Sequence, residues 1–174
     1  MGNACLGQGS RMDGRMEKSI VIKASPEKVW EMLALDRMPE WAFKGELKSV
    51  EYTSEVNTPE DKYMVGASAH IIDKRGEHDV EITESIENEK MIYRSKYGGV
   101  WGFDDMGEYY KTPYYTYTST YILKPVEKRT KLTWISDVEM PWGILGKALG
   151  GLGRGAGEKK AEKSLEELKS ILEK

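Results

Sequence analysis

The sequence of 174 residues contains one cysteine, two histidines and two phenylalanines. The single Cys5 excludes an internal disulfide and the usual cysteine-rich zinc sites. No apolar run approaches the roughly 18 residues that a membrane span needs, which argues against stable membrane insertion. A basic stripe is also missing. The 26 Lys and Arg are interspersed among 29 Asp and Glu, for a net charge of −3, so nucleic acid is not an expected partner. No Ser or Thr sits in a nucleophile elbow. A phosphate loop is absent too. The six glycines of "LGKALGGLGRGAGEKK" suggest one, but Lys147 is followed by Ala148, and no hydroxyl is there to meet magnesium.

Aromatic residues with a polar tip are plentiful: ten Tyr and five Trp. Such side chains suit a core and equally a pocket wall. The length fits one domain, able to bury about 70% of its unfolded surface. Residues 1–15 are Gly-rich and without periodicity. They read as a disordered leader or a tail foreign to the domain, and a myristoylation signal is disfavoured because Leu6 stands where it needs Ser or Thr. No apolar h-region precedes Met16, so a cytoplasmic location is the expectation.

Structure should begin near Met16. "EKSIVIKA" alternates as a strand, with Ile20, Ile22 and Ala24 on one face. In "SPEKVWEMLA", Ser25 offers an N-cap oxygen and Pro26 suits the first helical position. A second short helix, "MPEWAF", is expected to carry Trp41 and Phe43. Segments near 46–56, 65–74, 77–87, 90–97, 108–124 and 130–141 are rich in Val, Ile, Thr and Tyr. Turn signals such as "KRGE" and "ENEK" separate them, and links this short favour antiparallel pairing. From Pro141 onward the period is helical, with Ala161, Leu165, Leu168 and Leu172 on one stripe.

The blocks "IVIKASPEKVWEML", "DRMPEWAFKGELKSVE", "MVGASAHI" and "SLEELKSILEK" together resemble the SRPBCC superfamily. Its members include START domains, birch-pollen-allergen-like proteins and polyketide cyclase/dehydrase-like proteins, and the last branch is the most similar. The resemblance covers 16–174 as a single domain. It implies an α+β helix-grip fold: a curved antiparallel sheet of six or seven strands wraps a long C-terminal helix, and two short helices follow strand 1. It further implies a cavity between sheet and helix, whose chemistry varies widely across the superfamily.

Candidate site residues follow from the aromatic set and that cavity. Tyr117, Tyr121 and Trp134 are expected to face an apolar ligand from the strands, and Leu145, Leu149 and Leu152 from the helix. Trp30 and Trp41 would close one end, with Tyr93, His70 and the rim residue Trp101 completing the set. Buried tyrosines in such number call for hydrogen-bond partners, which a ligand or water supplies. Gly150, Gly151, Gly153, Gly155 and Gly157 weaken the first half of the helix, by about 0.5–1 kcal/mol each, and mark it as a gate.

Histidine spacing makes no convincing metal set, and no acid–base pair stands out, although Asp104 and Asp105 are adjacent. No metal, cofactor or catalytic residue is therefore expected. The reading is a carrier or binding protein for a small apolar molecule, lipid, isoprenoid or polyketide-like, acting as a monomer or weak homodimer. A cyclase or dehydratase using the same cavity is the alternative.

Overall fold

A computed structural model describes residues 15–74, 76–97, 115–139 and 143–174, with only the backbone path for 97, 115 and 143–156. The leader up to Gly14, Trp101, and the Asp104 and Asp105 pair lie outside the described residues. Seven strands form one antiparallel sheet: β1 Met16–Ile22, β2 Leu47–Tyr52, β3 Ser68–Asp73, β4 Gly76–Ile86, β5 Lys90–Tyr97, β6 Tyr115–Val126 and β7 Arg129–Glu139. Their spatial order is β1-β7-β6-β5-β4-β3-β2. Only β1 departs from a plain meander, because the two short helices carry the chain from one sheet edge to the other before β2. This is the α+β helix-grip architecture that the resemblance implied.

Alternation decides which face is buried. On β7, Thr130, Leu132, Trp134 and Ser136 are buried while the residues between them are not, and Ser119, Tyr121 and Leu123 repeat this on β6. On the inner face α3, Gly143–Leu172, packs along β1, α1, Pro26–Glu31, on β6 and β7, and α2, Met38–Trp41, on α3 and β2. Ala161, Leu165 and Leu168 are buried as the periodicity predicts. Two anchors fix the course of α3. The Lys23 backbone N–H donates to Glu173 Oε1 at 2.8 Å, and Lys18 Nζ lies 3.9 Å from Glu162 Oε2. About 16 Å of helix thus runs beside about 17 Å of β1, in the same direction. The glycine-rich half before about residue 158 therefore extends past Met16 and its partner Ser136.

Two expectations about the short helices need correction. Ser25 makes no cap bond to the helix backbone. Its hydroxyl bonds the Glu27 carboxylate instead, which holds that carboxyl below its usual range. Phe43 is not helical: α2 ends at Trp41, and Phe43 takes a left-handed φ of 47° just ahead of Gly45 at 79°. The Ser164 hydroxyl accepts the Phe43 N–H at 2.9 Å and so ties this corner to α3.

Candidate functional site

The inner face of the sheet has two ends of different character. At one end Tyr93, Tyr121 and Trp134 project from β5, β6 and β7, and Trp41 descends on them from α2. Their rings touch edge-on or stacked: Trp41 to Tyr121 at 5.9 Å, Trp41 to Trp134 at 6.2 Å, Tyr93 to Tyr121 at 5.6 Å and Tyr121 to Trp134 at 5.3 Å. Phe43 adds an edge contact to Trp134 at 5.5 Å. All four main rings are essentially without solvent exposure.

In this packing polar tips of the block find partners within the protein. Trp41 Nε1–H donates to the Met32 carbonyl at 2.7 Å, the Tyr93 hydroxyl donates to the Leu33 carbonyl, and Trp134 Nε1–H reaches Ser119 Oγ at 3.3 Å. Burial pushes the Tyr93 and Tyr121 phenols well above their ordinary range, so both stay neutral. The segment just after α1 presents the Met32 and Leu33 carbonyls where two of these tips arrive, and the result is a closely packed aromatic block.

Further along the same face the side chains shrink. Two residues along each strand from its ring stands a serine: Ser136 after Trp134 on β7, Ser119 beside Tyr121 on β6 and Ser95 after Tyr93 on β5, with Ser119 lying between Ser136 and Tyr93 in one cross-strand row and Ser95 opposite Tyr117 in the next. Ser95, Ser119 and Ser136 are 7%, 6% and 3% exposed, and Tyr117 is half-buried. Buried His78 stands one row beyond, on β4, and buried Asp73 caps the β3–β4 turn by accepting the Gly76 N–H at 3.0 Å. Hydroxyls thus occupy the end of the sheet toward which the glycine-rich half of α3 extends. Leu145, Leu149 and Leu152 belong to this half-helix, although their side chains lie outside the described residues.

Of the expected site residues, Trp41, Tyr93, Tyr121 and Trp134 come together, and Tyr117 stands at the serine end. Trp30 shares their buried core, but its ring stacks on Tyr63, at 5.8 Å. His70 is apart, because the odd–even alternation of β3 turns it to the outer face. There its Nδ1 meets Asp79 at 2.9 Å and its Nε2 lies 3.6 Å from Glu77. The hydrogen bond to Asp79, with both nearby carboxylates, raises the imidazole above its ordinary value. Reading by aromatic content missed Ser95, Ser119, Ser136 and His78. Strand alternation already places the first three on the face of Tyr93, Tyr121 and Trp134, and that signal could have found them.

Two open concavities are lined by described residues. One of about 850 Å³ lies between α1, the 3-10 turn Pro59–Tyr63 and the β4–β5 turn, at the end of the sheet away from the serines. The other, about 210 Å³, is a slot between Trp41, Phe43 and the Lys160–Glu167 stretch of α3. No described helix is long and apolar enough to cross a membrane, and no group of three or more described His, Cys, Asp or Glu residues could hold a metal ion.

The same arrangement of sheet and helices recurs in solved structures. A protein of Mesorhizobium loti shares 18% identity, with 91% of this chain and 96% of that one covered and a TM-score of 0.60. The Aha1 dimer from Colwellia psychrerythraea shares 19%, covering 91% and 95%, with a TM-score of 0.57. A Helicobacter pylori protein shares 11%, covering 95% and 91%, with a TM-score of 0.69. Identities this low carry the fold alone. Among curated proteins no sequence matches. A family profile described as "Polyketide cyclase / dehydrase and lipid transport" matches residues 13–173. With nearly the whole chain matched and the helix-grip sheet in place, the chain belongs to this polyketide cyclase/dehydrase and lipid-transport family of the SRPBCC superfamily.

Proposed function

We propose that the protein binds and carries a small, largely apolar molecule with one polar group. The molecule lies at the serine end of the inner face, beneath the glycine-rich half of α3. One observation carries this reading: on each of β5, β6 and β7 a tightly packed ring is followed, two residues on in the same direction along the sheet, by a buried serine, Tyr93 by Ser95, Tyr121 by Ser119 and Trp134 by Ser136. Close-packed cores avoid small polar side chains where large ones would fill the space, so this end supports a cavity with hydroxyl donors and acceptors. The aromatic block is its closed floor rather than its wall. The glycines of 150–157 lower the cost of opening the helix above it, which supports entry without a permanent portal.

Native mass spectrometry of protein purified without detergent tests this directly. A co-purifying small molecule is expected, and it should be lost from a Ser95→Leu/Ser136→Leu variant that still folds. A clean apo-protein mass that also fails to take up added fatty acid would count against the reading.

Buried His78 and Asp73 at the same end favour a second reading, the cyclase or dehydratase chemistry named in the family description. His78 would then move a proton on the bound molecule. Substrate bound but unchanged by parent and His78→Gln protein alike would leave the carrier reading standing.

A further inference from the structure

The larger concavity is at the opposite end of the molecule from the serines, and the proposed carrier site leaves it unused. Its floor is the stacked pair Trp30 and Tyr63. Its lip is apolar and exposed: Met64 is 59% exposed, Val65 61%, and neighbouring Ile86, at the tip of the β4–β5 hairpin, 46%. A cluster of exposed apolar side chains around a groove is characteristic of an interaction surface. The lip is held in place. Gly66 takes a φ of +91° and donates its N–H to the Ile82 carbonyl at 2.8 Å, and the Ala67 N–H closes the turn on the Met64 carbonyl at 3.0 Å.

The charge around the groove selects the occupant. Five carboxylates line it against two cations. Lys62 is committed to Asp36, and Arg37 is committed to Glu40 outside the groove. Glu27, Glu31, Glu60 and Glu87 face no Lys or Arg partner among the described residues. We infer that this groove docks a segment of a partner protein in which lysines or arginines flank a large apolar side chain. The apolar residue enters over Trp30 and Tyr63 beside Met64 and Val65, and the basic residues meet the glutamates. An anionic lipid surface would be repelled by the same four carboxylates. A second copy docking through the same face would set four carboxylates against four.

A short amphipathic Leu/Lys peptide is the probe, with its Leu/Glu counterpart as control. Methyl NMR of the full chain should show shifts at Met64, Val65 and Ile86 with the Lys peptide only, and affinity that falls as salt rises. A Glu31→Gln/Glu60→Gln/Glu87→Gln variant, altered only at exposed positions, should melt like the parent yet bind the Lys peptide about tenfold more weakly at low salt. Equal binding of both peptides, or unchanged affinity in the Gln variant, would overturn the inference. So would shifts that follow protein concentration without peptide, which signal a second copy, or equal shifts with phosphatidylglycerol vesicles, which signal a lipid surface.

Discussion

Replacing Trp41 by Ala separates a closed aromatic block from a ligand-filled one. Trp41 is fully buried, meets Tyr121 and Trp134 edge-on, and spends its indole N–H on the Met32 carbonyl. Truncating a buried Trp to Ala costs about 3–5 kcal/mol in lost transfer energy and residual cavity. Leaving the Met32 carbonyl unpaired adds about 1 kcal/mol. The sum, about 4–6 kcal/mol, is a large part of the 5–15 kcal/mol that holds a typical domain together. At about 2–4 °C per kcal/mol for a chain of this size, Tm should fall by roughly 10–20 °C. Urea unfolding followed by circular dichroism gives the free energy, and a thermal scan the temperature. Trp41→Phe keeps most ring contacts but not the hydrogen bond, so it should cost about 1–3 kcal/mol. A loss below about 1 kcal/mol for Trp41→Ala, typical of surface changes, would refute the reasoning. The ring would then be bordered by water or ligand rather than by a dry core.

Tyr93→Phe removes the donor to the buried Leu33 carbonyl and should destabilise by about 1–3 kcal/mol in urea unfolding. Gly157→Ala should stabilise by about 0.5–1 kcal/mol, because a Cβ there meets nothing within 4 Å, and a raised Tm checks it. The His70 imidazole, raised by its bond to Asp79, should titrate above 6.5 by NMR and return toward 6.5 in Asp79→Asn. Because the folded value is the higher one, its contribution to stability is complete below pH 6.5 and disappears as pH rises through the folded value.

Sheet, helix and their order were legible because each rests on a local period. The two-residue alternation of Ser119, Tyr121 and Leu123, and the three- and four-residue steps of Ala161, Leu165 and Leu168, each fix a face. Phe43 was misplaced because its left-handed backbone is imposed by the corner into β2 and by the Ser164 hydroxyl on α3, which is distant in sequence. The site was less legible. Composition alone shows that tyrosines are many, not that the Leu33 carbonyl meets Tyr93 from 60 residues away or that Met32 offers its own to Trp41. Trp30 and Trp41 look equivalent in sequence, yet the 3-10 turn Leu35–Arg37 between their helices sends one ring toward Tyr63 and the other toward Trp134. His70 was placeable: Ala69 and Ile71 beside it are the buried pair, so it had to face outward.

Amide hydrogen exchange with and without dansyl-undecanoic acid tests the central claim most directly. A molecule held at the serine end should slow exchange in the helix between 143 and 157 and in the strands around Ser95 and Ser136. The Leu165–Leu172 stretch, already packed on the sheet, should change little. Protection confined to α1 and the 59–65 turn, or none at saturating probe, would contradict a ligand site beneath the glycine-rich half of α3.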